Sequence, residues 1–267
     1  MRDLVDIGVN LTHRSFDRDR DAVIARATSA GVSTLVITGT SAFDSHRAAA
    51  LARERPATSF ATAGVHPHHA KDCDARTVDA LRALAAESNV VAIGECGLDF
   101  NRDFSPRDVQ EKWFEAQLEL AAEVGLPVFL YERDAAERML AILSKHRPKL
   151  AGGVVHCFTG TPDDAERYLA LDLHIGITGW ICDERRGASL ALAARSIPLD
   201  RMMIETDAPF LLPRTLGRAA AKERRNEPAF LPEVVKALAR ATGRDEREIA
   251  TETTRSARRF FGLPGAS

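Results

Sequence analysis

Residues 105–131, SPRDVQEKWFEAQLELAAEVGLPVFLY, contain a helix followed directly by a strand, and this alternation decides the fold class. In segment 106–124, apolar side chains recur at helical spacing and predict one buried face made of Val109, Trp113, Ala116, Leu120 and Val124. A Ser-Pro pair opens the segment and Gly125 closes it, as helix start and stop signals do. The run PVFLY at 127–131 is continuously apolar, which predicts a buried parallel strand.

Seven further short apolar runs alternate with amphipathic stretches along the chain: residues 4–10, 33–39, 59–65, 90–96, 152–158, 173–179 and 202–207. Eight strands with helices between them is the number that closes a (β/α)8 TIM barrel. We therefore predict an α/β protein with a single barrel domain over residues 1–267. A doubly wound open sheet is the competing topology, but the turn GVNLTHRSF after the first strand lacks the G-x-G-x-x-G motif typical of that fold.

Charge, length and cysteine pattern exclude several classes of protein. The formal net charge is -2, so any attraction to nucleic acid has to come from a local patch. No apolar run reaches the about 18 residues that a membrane span needs, and the amino terminus lacks a signal-peptide pattern. The four cysteines lie far apart without a C-x-x-C pair, which is typical of reduced thiols in the cytoplasm. We expect a cytoplasmic monomer without a membrane partner.

Polar residues end most of the predicted strands, where a barrel of this class carries its active site. They are Asp6, Asn10, His66, His68, Glu95, Tyr131, His156, Trp180 and Asp207. Polar groups inside apolar strands are costly unless they are paired or bound to a metal. Glu95, His156 and Asp207 are of the types that hold a divalent cation. Taken singly, each has a structural alternative, as a hydrogen-bonded core residue or a helix cap.

Several long motifs resemble the TatD family of metal-dependent deoxyribonucleases. They are DIGVNLT (6–12), TAGVHPH (62–68), GECGLDFNRDFS (94–105), VVHCFTGT (154–161), GITGWICDERRG (176–187), IPLDRMMIETDAPFLLPR (197–214) and RRNEP (224–228). The resemblance covers nearly the whole chain. It implies an amidohydrolase-type barrel and 3′–5′ exonuclease or DNase activity that depends on a divalent metal.

Matching motifs imply roles for individual residues. Glu95, His156 and Asp207 take the metal positions, with Asp207 also the general base and Glu95 counted with it as catalytic. The expected cofactor is Mg²⁺, with Mn²⁺ or Zn²⁺ as alternatives. We expect the substrate to be single-stranded DNA or frayed 3′ ends, with RNA as an alternative. His66, Arg133 and Arg225 are predicted to hold phosphate oxygens, since a guanidinium offers a fork of donors.

Two departures from the family pattern concern the metal. Many relatives begin with D-x-H-x-H, whereas this chain has Gly8 and Asn10 at the histidine positions, which predicts a reduced metal site. Tyr131 stands where a metal-binding histidine is expected, and a phenol with an unperturbed pKa of about 10 is a poor ligand for Mg²⁺. Glu132 replaces that ligand only if the strand ends at Tyr131, because strand alternation otherwise aims it away.

Basic residues follow the seventh and eighth strands, the loops that often bind phosphate in barrels. They are Arg185, Arg186, Arg214, Arg218, Lys222, Arg224 and Arg225. One interpretation is a rim that tracks the nucleic-acid backbone without sequence preference. The other is a solvated surface loop. Three aromatic residues near strand ends also have two interpretations: they stack on a base, or they are buried in the core. They are Phe158, Trp180 and Phe210.

Two other functions stay open at this point. A metal at a carboxylate–histidine site also hydrolyses small esters, lactones or amides in barrels of this class. Tyr131, in turn, is compatible with a catalytically weakened relative, or with a binding protein that has lost its activity.

Overall fold

The computed structural model describes residues 3–217 and 224–265. Eight strands form one sheet in the order β1 to β8, and parallel pairing joins β3 to β4, β4 to β5, β5 to β6 and β7 to β8. The strands are β1 (Leu4–Val9), β2 (Val32–Ile37), β3 (Ser59–Ala63), β4 (Val90–Asp99), β5 (Val128–Arg133), β6 (Gly153–Val155), β7 (His174–Ile177) and β8 (Met202–Ile204). This sheet order, with a helical crossover after each strand, is that of a (β/α)8 barrel and confirms the predicted fold class.

The described residues contain nine α-helices, most of them between consecutive strands. They are α1 (Arg20–Ser29), α2 (Ala42–Arg53), α3 (Thr77–Ala85), α4 (Arg107–Val124), α5 (Ala136–His146), α6 (Pro162–Ala170), α7 (Ala188–Ala193), α8 (Leu231–Thr242) and α9 (Glu246–Phe261). Pro106 precedes α4, and Gly125 ends it in the left-handed conformation with φ 72°. Both predicted signals are therefore used, the proline because its fixed φ suits a helix start and the glycine because it has no β-carbon.

The buried face of α4 differs from the predicted one. Of the five residues predicted to face the core, only Leu120 is fully buried, and the buried stripe also contains Gln110, Phe114, Gln117, Leu118 and Ala121. The two glutamines belong to the core because they bind backbone groups there. The amide of Gln117 accepts from the N–H of Val65 and donates to its carbonyl. A pattern of apolar residues alone does not reveal such polar core positions.

Contacts divide the chain into two compact units. One comprises residues 1–36, 157–169 and 174–267, and its described part contains β1, β7 and β8 with α8 and α9. The other comprises residues 37–156 and 170–173, with β3 to β6 and α2 to α5. Each has apolar strand residues at its centre, such as Ile7 and Ile175 in the first and Ile93 and Phe129 in the second. The single domain over 1–267 stays a prediction.

Two further observations concern the membrane and the thiols. Among the described residues, no helix is both long enough and apolar enough to cross a bilayer. All four cysteines are free, and Cys96 and Cys182 are buried. No two of these four thiols are joined in a disulfide bond.

Candidate active site at the carboxyl ends of strands β3 to β6

Two imidazoles converge on one carboxylate oxygen in the unit that contains β3 to β6. His66 follows β3, Glu95 lies within β4, and His156 directly follows β6. Nε2 of His66 is 3.5 Å from Oε1 of Glu95, and Nε2 of His156 is 3.4 Å from the same oxygen. All three side chains are buried. The structure thus brings together three residues that the sequence placed on three different strands.

An irregularity in β4 aims Glu95. Gly94 pairs with Phe129 and Cys96 with Leu130, so Glu95 is an extra residue in the register. Such bulges redirect a side chain and are common beside active sites. Gly94 has φ 139°, and a β-carbon there would collide with the carbonyl oxygen of Phe129. The glycines around Glu95 in GECG are therefore a sequence signal for this bulge.

Burial and mutual charge set the protonation states of this cluster. Burial disfavours the imidazolium form and lowers the pKa of His66 to about 4, although the Glu95 carboxylate acts in the opposite sense. Burial alone raises the pKa of Glu95, but the neighbouring imidazoles of His66 and His156 outweigh it and bring that pKa below its ordinary value. At neutral pH, Glu95 is therefore ionised and His66 neutral, so both present lone pairs to a cation.

A second pair, His68 and Asp99, lies beside the first. Oδ2 of the buried Asp99 is 2.6 Å from Nε2 of His68, and Oδ1 accepts hydrogen bonds from the backbone N–H groups of Asn101 and Arg102. Burial raises the pKa of Asp99, but these hydrogen bonds outweigh it and lower that pKa overall. Asp99 thus orients His68 and also fixes the loop after β4. The sequence pattern did not single out Asp99, although Asp99 lies in the motif GECGLDFNRDFS at 94–105.

Tyr131 on β5 belongs to the same cluster. Its ring centroid is 4.4 Å from that of His66 and 6.4 Å from those of His68 and His156. Its hydroxyl is 3.5 Å from Oδ2 of Asp99, at the long limit of a hydrogen bond. The residue is half-buried. The phenol therefore stands among the histidines, at a position that is part of the site.

The residues after Tyr131 settle how β5 ends. The strand continues to Arg133, and Oε1 of Glu132 accepts a hydrogen bond of 2.6 Å from the N–H of Ala135 at the start of α5. Glu132 thus binds the backbone just before α5, so the alternative in which it replaces a metal ligand finds no support in this geometry. Arg133 lies two positions after Tyr131, and strand periodicity puts both side chains on one face.

Asp207 and Asp6 lie in the other unit. Oδ1 of Asp207 accepts a hydrogen bond of 2.9 Å from the amide of Asn10, and the Asp207 N–H donates to Gly8. Asn10 thus orients Asp207. Asp6 is fully buried and accepts hydrogen bonds from the backbone N–H and the hydroxyl of Thr206. Burial raises the pKa of Asp6 to about 7.

Comparison with known proteins identifies the family of this chain. The family model described as TatD related DNase matches residues 5–262. The chain belongs to this family. The resemblance seen in the sequence is therefore confirmed.

Individual TatD relatives match nearly the full length of the chain. A protein of Erwinia tasmaniensis named 3′-5′ ssDNA/RNA exonuclease TatD is 54% identical over 97% of this chain and 100% of its own length. One of the same name from Rahnella sp. is also 54% identical, over 97% and 98%. The crystal structure of YjjV, a TatD homolog from Escherichia coli K12, superposes with a TM-score of 0.89 at 28% identity and covers 98% of this chain and 99% of its own.

The structure gives Arg225 a role other than the predicted one. Its NH1 donates to the Ser15 carbonyl and to Asp19, and its NH2 donates to Asp19 and to Glu227, over 2.6–2.8 Å. The hydrogen bond from Arg225 lowers the pKa of Asp19 to about 2. All four terminal N–H groups of the guanidinium are engaged in these hydrogen bonds. The prediction that Arg225 contacts phosphate is therefore corrected: the residue joins parts of its own unit.

The remaining basic and aromatic residues of this TatD chain are mostly paired. Asp183 accepts from Nε of Arg186 over 2.8 Å and from Nε of Arg214 over 3.0 Å. The Arg186 guanidinium also covers the ring of Trp180. Phe158 is buried, as its core alternative predicts, whereas Phe210 and Arg224 are exposed. Arg218 and Lys222 lie outside the described residues.

Proposed function

We propose that this chain is a divalent-metal-dependent 3′–5′ exonuclease that acts on single-stranded or frayed DNA and also on RNA. The observation that carries the proposal is the approach of His66 and His156 to one oxygen of the buried Glu95. Membership of the TatD related DNase family and the names of the relatives support the reaction class and the polarity. Those names also cover both single-stranded DNA and RNA.

The donor set fits a divalent cation. Ligand atoms about 2.0–2.1 Å from a tetrahedral ion lie about 3.4 Å from one another. The two nitrogen-to-oxygen distances of 3.4 and 3.5 Å match this spacing. Two imidazoles with one carboxylate suit Mn²⁺ or Zn²⁺ better than Mg²⁺, which prefers oxygen ligands. We therefore assign His66 to the ion rather than to the phosphate, and keep Mg²⁺ as one arm of the test.

The residues of the chain divide the remaining work. Glu95 and His156 hold the ion together with His66, and Asp207 is kept as the further ligand and general base that the sequence predicts. When bound, such an ion polarises a phosphate oxygen and acidifies water. Arg133, on the same strand face as Tyr131, donates to phosphate oxygens through its guanidinium. Asn10 holds the carboxylate of Asp207 in one orientation through a hydrogen bond.

A gel assay with end-labelled oligonucleotides tests the proposal. A 5′-labelled single strand, incubated with Mg²⁺, Mn²⁺ or Zn²⁺, is expected to shorten one nucleotide at a time from its 3′ end, and EDTA is expected to stop the reaction. Glu95→Gln, purified in the same way, controls for contaminating nuclease. Digestion that proceeds equally with EDTA refutes the metal dependence. Hydrolysis of p-nitrophenyl esters without any digestion of oligonucleotides refutes the nuclease assignment.

We also propose that the protein works in the cytoplasm as a monomer. Its four free thiols are compatible with a reducing compartment. Light scattering on the purified chain tests the oligomeric state, and a dimeric mass contradicts it.

A further inference from the structure

Phe104 is an exposed phenylalanine next to the histidine cluster. It lies in the loop between β4 and α4, and 53% of its surface is exposed. Its ring packs edge-on against His68, with 4.7 Å between the ring centroids. A single exposed apolar side chain is ordinary. Phe104 differs from such a residue because hydrogen bonds hold its loop and because its ring partner among the described residues, His68, belongs to the site.

Hydrogen bonds fix the loop at both ends. The Gln110 side chain binds the N–H and the carbonyl of Asp99, and it also donates to the Ser105 carbonyl. The Ser105 hydroxyl donates to the His68 carbonyl and accepts from the N–H of Lys71. The residue just before Phe104, Asp103, forms two hydrogen bonds with the Arg107 guanidinium. The exposure of Phe104 is therefore built into the fold.

A row of rings connects Phe104 with Glu95. The centroids of Phe104 and His68 are 4.7 Å apart, those of His68 and His66 4.2 Å, and those of His66 and Tyr131 4.4 Å. His66 in turn faces Glu95. The ring of Phe104 is therefore two ring contacts away from His66, the residue that faces Glu95. The Phe104 ring is also exposed to solvent.

We propose that Phe104 is a stacking platform for the base of one of the two nucleotides that flank the scissile phosphate. This inference rests on the proposed nuclease function and names a positioning residue for its substrate. Every nucleobase has a π-face, so stacking on an aromatic side chain gives affinity without sequence preference. Stacking also suits a chain whose net charge of -2 provides no overall attraction to nucleic acid.

Oligonucleotides that lack single bases test the role of Phe104. Steady-state kinetics compare Phe104→Ala and Phe104→Trp with the parent on an ordinary single strand and on strands with an abasic 3′-terminal or penultimate nucleotide. Phe104→Ala is expected to lose about 10-fold in kcat/KM on the ordinary strand. Phe104→Trp is expected to retain parental activity. On one of the two abasic strands, the parent and Phe104→Ala are expected to become equal.

The matched control is Phe43→Ala, because Phe43 is a phenylalanine of the same unit, 73% exposed, and its described ring contact is with Arg47. It is expected to leave kcat/KM unchanged on all strands. Equal activity of Phe104→Ala and the parent on the ordinary strand overturns the stacking role, as does the same loss on every strand, which indicates a disturbed His68. Digestion of no strand by the parent overturns the nuclease function itself.

Discussion

The ring of Tyr131 lies 4.4 Å from the imidazole of His66, and its hydroxyl lies 3.5 Å from Oδ2 of Asp99. Tyr131 therefore occupies the site at the position where the family pattern leads us to expect a histidine ligand. A phenol with an ordinary pKa of about 10 carries its proton at neutral pH and is a weak ligand in that state. The metal site is thus expected to bind its ion less tightly than one with a full set of histidines.

Replacing Tyr131 by histidine should strengthen metal binding. An imidazole nitrogen suits Mn²⁺ and Zn²⁺, so we expect Tyr131→His to lower the Kd for these ions by about 10-fold and to raise the nuclease rate at limiting metal. Tyr131→Phe is the matched control, since it keeps the ring and removes only the hydroxyl. Isothermal titration of the three proteins with Mn²⁺ measures the effect.

The opposite ranking indicates that the tyrosine hydroxyl already functions. In that case Tyr131→Phe loses activity, and Tyr131→His binds Mn²⁺ no better than the parent.

Substitutions of Glu95 and His156 should remove the metal and the activity together. Both side chains are buried and face each other over 3.4 Å. We expect Glu95→Gln and His156→Ala each to lower kcat by at least about 100-fold, because outer-shell substitutions alone cost 10- to 100-fold. Metal content measured by mass spectrometry should fall in parallel. His69→Ala is the control, since His69 is exposed and outside the cluster. A fully metal-loaded Glu95→Gln protein would show that the ion lies elsewhere.

The fold could be predicted from the sequence because each strand is specified by its own run of apolar residues. Each of the eight predicted strand runs overlaps an observed strand, since a strand buried on both faces needs consecutive apolar residues. The sequence also singles out Glu95 and His156, which the structure brings within 3.4 Å of each other, because an ionisable group within an apolar run is costly without a partner.

The residues whose roles could not be predicted from the sequence act through long-range hydrogen bonds. Gln110 and Gln117 are core residues because they bind backbone groups at strand ends, and Asp99 acts on His68, which lies 31 positions away. Arg225 has a side chain of the kind that contacts phosphate. In the structure it binds instead the carboxylate of Asp19, which lies 206 positions away in the sequence. Neither residue spacing nor charge count reports such partners.

Loss of Arg225 should destabilise the protein. The guanidinium joins Asp19, Glu227 and the Ser15 carbonyl. Its removal leaves the two carboxylates with Arg26 as their common partner among the described residues. We expect Arg225→Ala to lower the free energy of unfolding by about 2 kcal/mol in urea titrations. Arg224→Ala is the control, because Arg224 is exposed, and it should change stability by less than about 0.5 kcal/mol.

The same two variants separate the structural role of Arg225 from a role in DNA binding. If Arg225 contacts phosphate, its replacement weakens binding and flattens the salt dependence. We expect an unchanged salt slope for the folded variant. A flatter slope with unchanged stability would restore the original prediction.

Asp6 should make stability depend on pH. Its pKa is raised from 3.8 to about 7, chiefly by burial, so the folded protein holds this proton more tightly than the unfolded chain. The stabilisation that this bound proton provides is complete below the pKa of Asp6 in the unfolded chain. It is lost as the pH rises through the pKa of Asp6 in the folded protein. Asp6→Asn resembles the protonated acid, because its amide donates to the Thr206 hydroxyl while its oxygen still accepts from the Thr206 N–H. The variant carries no titrating group.

The stability of Asp6→Asn relative to the parent should therefore increase by about 2–3 kcal/mol between about pH 5 and about pH 8, at about 1.4 kcal/mol per unit of pKa shift. Urea unfolding of both proteins at each pH gives this difference, and other titrating groups cancel because both proteins carry them. Asp108→Asn, an exposed aspartate in the first turn of α4, is the control and should show a nearly constant difference. A constant difference for Asp6→Asn as well would mean that Asp6 stays ionised in the folded protein, stabilised by its hydrogen bonds from Thr206 and Gly8 despite its burial.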